Sequence, residues 1–217
     1  MTADTISHRR LYYRLTQSDH DALRSRLSAA SAGAAHVHRM FFTSYRDRAA
    51  AQTVEELLSP GGEETRFSLQ YLDDDPSRLT LERHRGGQRA SAAVNGAECR
   101  ALLSGETDWL KERQDPVLLD FYEGLTERML LPRVLVSYRQ EIYMTESPAL
   151  RVALHTDLRS SMEYMDFLDP QRLARHTAEQ EGDILMSITY SDVIPDNVLC
   201  LLEEAAPGRK LLSKRKR

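Results

Sequence analysis

An α+β fold is predicted, with an antiparallel sheet able to close into a β-barrel and helices packed on its outside. Three observations predict it. Short stretches of period-two alternation dominate both ends of the chain, hairpin-like turns join them, and helical patterns fill the middle and the close. No Gly-rich loop opens a helix after a strand, which excludes a Rossmann or P-loop design.

The first strand is predicted at residues 8–15, "HRRLYYRL". A helix follows in "TQSDHDALRSRLSAA", with Ser18 as its N-cap, Asp21 three residues on, and a thin apolar stripe at Leu23 and Leu27. "SAGAAHVHRMFF" turns into a second strand centred on Val37–Phe42, and "AAAQTVEELLSPGG" reads as a short helix or turn before a strong break. "RFSLQYL" (66–72) and "SRLTLERHR" (77–85) form a hairpin around "DDDP", whose three aspartates are turn chemistry before they are an acidic cluster. "GGQRASAAV" (86–94) adds a turn and a third strand. Helices are expected in "NGAECRALLSGETDWLKER" and "PVLLDFYEGLTERML", the latter with Pro116 at its first position. Strands return at 133–144, 149–160 and 183–191, and "PDNVLCLLEEA" makes a last, core-packed helix before a basic tail. In "ILMSITY" (184–190) the side chains of Ile184, Met186, Ile188 and Tyr190 share one side, and Leu185, Ser187 and Thr189 the other.

The 217 residues give room for one sizeable domain or two small ones, and a single domain spanning 1–217, with a basic tail at 209–217, is expected. A net charge of −4 argues against a nucleic-acid-binding protein. No apolar run approaches the roughly 20 residues needed to span a bilayer. The first residues lack a signal-peptide pattern, and the two cysteines make neither a disulfide framework nor a zinc site, so a cytoplasmic setting is expected.

The segments "LPRVLVSYRQEIY", "LRVALHTDLRS", "ILMSITYSDVIPDNVLCLLEEA" and "LLSKRKR", preceded by "HRRLYYRL", "RMFFTS", "RFSLQY" and "LERHR", resemble in order and spacing the vacuolar transporter chaperone (VTC) domain family. The resemblance covers nearly the whole chain. It implies kinship with polyphosphate polymerases of the triphosphate tunnel metalloenzyme superfamily, whose antiparallel barrel has a charged lumen. In that family a nucleoside triphosphate is held by Arg and Lys, and Glu holds a divalent metal. The physical need is plain: phosphate oxygens require cationic clamps, and Mg²⁺ or Mn²⁺ requires carboxylates.

Against the family pattern the departures are extensive. The opening E-x-K-Y slot reads Arg10-Leu11-Tyr12-Tyr13, and the Tyr-Phe-Asp strand reads Phe41-Phe42-Thr43. The R-x-R strand reads Ser68-Leu69-Gln70, with Arg66 one step back on the same face. The L-E-x-K strand is best kept, as Leu81-Glu82-Arg83-His84. Y-x-R-E becomes Tyr138-Arg139-Gln140-Glu141, and R-x-T-x-D keeps Arg151 but reads Ala153 and His155. In the late L-E-x-K-Y strand Ser187 stands at the metal-binding Glu position and Thr189 at the Lys position, while the closing S-K-Y keeps Lys214.

The resemblance therefore implies a degenerate tunnel domain that binds a phosphate-rich anion or a protein partner with little or no catalysis. Glu82 is its only remaining metal ligand. Arg151 and Lys214 are its retained phosphate cations, with Arg66, His84 and His155 as partial substitutes. His155 is expected as a buried hydrogen-bonded side chain rather than a base. The alternative is an active polymerase or triphosphate phosphohydrolase, which would need Mn²⁺ or Mg²⁺. Triphosphate or polyphosphate is the implied ligand. Residues 105–131, with Trp109, Phe121 and Tyr122, are a candidate protein-partner surface, although such aromatics are more often core.

Overall fold

The computed structural model describes residues 9–27, 31–44, 65–85, 88–144, 150–176, 178–179, 184–190, 194 and 196–212, and among these described residues ten strands and six α-helices realise most of these patterns. The pairings between strands whose register is defined are antiparallel. The chain gathers into two compact units, one from residues 1–35, 138–158 and 180–217 and the other from 36–137 and 159–179.

In the first unit, β1 (Arg9–Leu15) pairs with β9 (Ile184–Tyr190) in a register running from Arg9↔Tyr190 to Leu15↔Ile184. β9 pairs in turn with β7 (Arg151–Ser161), from Arg151↔Thr189 to His155↔Leu185. Alternation then sorts the side chains. Leu15, Val152, Leu154, Ile184, Met186 and Ile188 form one apolar face, packed with Leu23 and Leu27 of α1 (Gln17–Leu27) and Val198 and Leu202 of the last helix, Asp196–Ala205. The cap of α1 differs from expectation. Thr16, not Ser18, is the capping residue: its Oγ1 accepts from the Asp19 amide at 3.1 Å, and Asp19 Oδ2 accepts from the Thr16 amide at 3.4 Å. Both residues fit the same sequence pattern, and Thr16 directly follows the last paired residue of β1.

The same unit holds a hydrogen-bonded chain on β6 (Leu130–Met144). Tyr143 donates to Glu141 Oε2 at 2.6 Å, and Arg24 Nε donates to the same oxygen at 3.0 Å. Burial would raise the Glu141 pKa, but the Tyr143 bond and the Arg24 charge outweigh it and hold the carboxyl below its ordinary range. Burial, then the bond to Glu141, pushes Tyr143 up to about 12. The depressed Glu141 contributes stability above the ordinary carboxylate range that is lost as pH falls through its folded value. The raised Tyr143 contributes stability that is present below pH 10, its ordinary value, and lost as pH climbs to about 12. Tyr143→Phe is expected to cost about 1–2 kcal/mol at neutral pH and to flatten both limbs, read from urea midpoints across pH.

In the second unit β2 (Ser31–Ser44, from His36 onward), β3 (Arg66–Leu72), β4 (Leu79–Arg85) and β5 (Gln88–Val94) follow one another as a meander. One face buries Met40, Phe42, Phe67, Leu69, Tyr71, Leu79, Leu81 and Val94 beneath Cys99, Leu110, Leu118 and Phe121. Those covering residues come from α2 (Gly96–Leu103), α3 (Trp109–Glu112) and α4 (Pro116–Glu127). Local chemistry sets the helix ends. Asn95 and Glu98 make a capping box on α2, and Gly105, at φ 89°, ends it, with the Gly105 amide donating to the Leu102 carbonyl and the Glu106 amide to the Ala101 carbonyl. Pro116 stands at the first helical turn of α4, as expected, and Asp115 caps the helix ahead of it.

Of the aromatics in 105–131, Phe121 is fully buried in the core, and Trp109 and Tyr122 pack partly buried against it. An unpredicted helix, α5 (Pro170–His176), begins where Asp169 Oδ1 accepts from the amides of Gln171 and Arg172. The stretch 49–62 and Lys214 lie outside the described residues. Among the described residues no helix is long and apolar enough to cross a membrane.

Candidate functional site

The face of the second unit turned away from its core is mostly polar, with Phe41 among its residues opposite Ser68. Register places Arg39 opposite Gln70, Ser68 opposite Glu82, Arg66 opposite His84, Glu82 opposite Ser91 and His84 opposite Arg89. Because alternate residues share a side, Arg39, Arg66, Ser68, Gln70, Glu82, His84, Arg89 and Ser91 line one surface across four strands.

Glu82 is its centre, and only 2% of it is exposed. A buried carboxylate is costly unless every lone pair finds a partner. Both oxygens are engaged here. Oε1 accepts from Gln70 Nε2 at 2.6 Å and pairs with the Arg89 guanidinium. Oε2 pairs with Arg39 Nη2 at 3.3 Å and faces His84 Nε2 at 3.4 Å. Arg39 also donates through Nε to Gln70 Oε1 at 3.0 Å, so the Gln70 amide joins the guanidinium to the carboxylate. Ser68 Oγ, buried beside them by register, makes no hydrogen bond among the described residues.

Three of the residues named from the sequence (Glu82, His84 and Arg66) thus come together on one surface. Sequence reasoning missed Arg39 and Arg89, the two guanidiniums that bind Glu82. Arg39 carries no motif of its own, and its place on this face follows only from the β2–β3 register. Among the positions named, Arg39 and Arg89 both pair with Glu82, and Arg66 lies on the same surface opposite His84.

The first unit has its own polar surface. Arg10 and Arg151 both stand opposite Thr189, one from β1 and one from β7. Arg10 Nε donates to Thr189 Oγ1 at 2.9 Å, and its Nη1 donates to Tyr12 Oη at 3.1 Å. One step along, Ser187 lies between Tyr12 and Ala153, and its Oγ is 3.3 Å from His155 Nε2. His155 is buried, as expected, with its ring edge-on to Tyr138 at 5.1 Å. The "ILMSITY" strand keeps its expected sides: Ile184, Met186 and Ile188 in the core, Ser187 and Thr189 on the polar surface. A cation from each neighbouring strand flanks the hydroxyl at the expected Lys position.

No protein-family model matches the chain, and no curated protein matches it by sequence. Solved structures do match. A candidate adenylyl cyclase from Hippeastrum, described as having a dominant triphosphatase activity, aligns over 90% of this chain and 84% of its own at 13% identity, with a TM-score of 0.52. A protein from Pyrococcus horikoshii aligns over 96% and 91% at 10% identity and a TM-score of 0.48. A candidate adenylate cyclase from Bacillus halodurans aligns over 91% and 86% at 10% identity, also at 0.48. The Hippeastrum likeness shows a shared α+β fold built on an antiparallel sheet with helices.

Proposed function

We propose that this chain is a degenerate, VTC-like tunnel domain that binds the oxyanions of triphosphate or polyphosphate through its guanidinium groups, with little or no catalysis. The observation that carries this reading is the state of Glu82. It is the one carboxylate left at an expected metal-holding position, and both its oxygens are engaged by Arg39, Arg89, Gln70 and His84. A hard cation needs carboxylate oxygens that it can coordinate itself. Here Glu82 serves as the internal counterion that holds a basic surface in shape. Arg39, Arg66 and Arg89 then present planar donors suited to phosphate oxygens, and Arg10 and Arg151 do the same in the first unit.

A second reading, a metal-dependent phosphohydrolase or polymerase, draws on the triphosphatase activity of the Hippeastrum protein. It requires Mn²⁺ or Mg²⁺ to displace the cations around Glu82. Thermal unfolding with tripolyphosphate, in chelator and in Mn²⁺, separates the two. Binding without catalysis predicts stabilisation in chelator, with no hydrolysis or polymer formation when Mn²⁺ is added. Arg66→Ala is expected to weaken binding at the surface around Glu82 about tenfold, the worth of one charge-assisted hydrogen bond, and Arg151→Ala to do the same for binding at the first unit's own surface. Stabilisation that appears only with Mn²⁺, together with turnover, would establish the second reading instead.

A further inference from the structure

The opposite face of β2 carries a different group of residues, all within the second unit. His36 and His38 are two apart on the strand and so share a side. The β3–β4 turn brings Asp74 to them. Asp73 and Asp74 both take left-handed backbone, at φ 52° and 57°, and the Asp75 amide closes the turn on the Leu72 carbonyl at 3.0 Å. The turn is latched to β2 at His36, whose amide donates to Asp73 Oδ1 at 2.9 Å and whose carbonyl accepts from the Asp73 amide at 2.8 Å.

The result is a convergence of ligand atoms. One atom from each of His36, His38 and Asp74 lies within 4.8 Å of the others. Asp74 Oδ1 is 3.4 Å from His36 Nδ1 and 2.6 Å from His38 Nε2. Ligands at about 2.0–2.2 Å around a tetrahedral ion stand about 3.4 Å apart. The first pair already has that spacing. The second is at hydrogen-bond distance, and a metal would take the place of the proton between the two atoms.

His38 is held for this role. It is 3% exposed, its ring stacks on Tyr71 with centroids 4.7 Å apart, and its Nδ1 lies 2.8 Å from Ser137 Oγ. An imidazole whose second nitrogen is fixed by a hydrogen bond is the usual metal-ligating arrangement.

We propose that His36, His38 and Asp74 bind a borderline divalent cation of the Zn²⁺ class. Two imidazoles and one carboxylate suit Zn²⁺ or Co²⁺ and do not suit Mg²⁺ or Ca²⁺, which take oxygen ligands. Three protein ligands leave a fourth position for water. The site lies on the other side of β2 from Arg39, so it stands independently of the phosphate-binding surface.

The test uses the full chain, stripped with chelator and titrated with Zn²⁺ by thermal unfolding and with Co²⁺ by visible absorption. Zn²⁺ is expected to raise the unfolding temperature, and Co²⁺ to give the intense visible bands of a tetrahedral N/O site. His36→Gln and Asp74→Asn alter partly exposed side chains, so both variants should fold, and each is expected to lose at least about tenfold in Co²⁺ affinity. No Zn²⁺ shift and no Co²⁺ band in the natural chain would overturn the proposal. So would bands and shifts that persist unchanged in both variants.

Discussion

Glu82→Gln is expected to tighten tripolyphosphate binding about tenfold while lowering the stability of the fold by about 2 kcal/mol. Both effects come from one charge. In the natural chain the buried Glu82 carboxylate holds Arg39 and Arg89 and competes with any incoming phosphate for them. Glutamine keeps the volume and can still bond Gln70, but it withdraws the competitor. At an effective dielectric of about 20, one unit charge a few ångströms from a phosphate is worth roughly 4 kcal/mol, and hydration and salt reduce that to about the 1.4 kcal/mol of a tenfold gain.

The stability cost arises because the guanidiniums lose a buried partner. Breaking such a pair costs about 3–5 kcal/mol when the survivor is fully buried. Arg89 is 39% exposed and recovers part of that in water. Titration of variant and natural chain, with urea unfolding of each, reads both numbers. The metal-dependent reading predicts the opposite sign for binding, since it would lose its only carboxylate ligand.

Phe121→Ala is expected to cost about 3–5 kcal/mol, enough to consume much of the stability of an ordinary domain. The ring is fully buried on α4 and touches Phe42 edge-on at 4.8 Å and Phe67 at 5.0 Å. Truncation removes those contacts and leaves a cavity between helix and sheet that neither element can close. Its neighbour Tyr122 is the control. It is partly buried beneath Lys111, whose Nζ sits 4.8 Å from the ring centroid, so Tyr122→Ala is expected to cost about 1 kcal/mol. Urea midpoints that fall equally for the two would remove Phe121 from the centre of the core.

Much of this fold was legible because its strands alternate cleanly. "RFSLQYL", "LTLERHR" and "ILMSITY" each split into a core side and a polar side by parity alone, and Asn95, Asp115 and Pro116 mark helix starts by their own chemistry. The Thr16 cap was not decidable from local pattern, since Thr16 and Ser18 each precede an aspartate by three residues. The end of the β1–β9 pairing singles out Thr16. The start of α5 carries a legible signal, since Asp169-Pro170 repeats the Asp115-Pro116 pattern.

The candidate site was legible only in part. Glu82 and His84 are two apart on one strand, and Arg66 falls opposite His84 once the hairpin is drawn. Arg39 and Arg89 arrive from outer strands whose register no local pattern fixes, and a one-residue slip would turn each to the other face. The same limit hid the histidine site. "HVH" is visible as a pair of ligands on one side of a strand, but Asp74 reads as turn chemistry until β2 and β3 are aligned.

The central claim is that the basic surface around Glu82 binds phosphate chains without a metal. Calorimetric titration of the full chain with tripolyphosphate in excess chelator tests it most directly. The predicted result is saturable binding that weakens as salt rises, since ionic contacts are screened, and that weakens further in Arg66→Ala. Absence of heat in chelator, with binding restored by Mn²⁺, would contradict it.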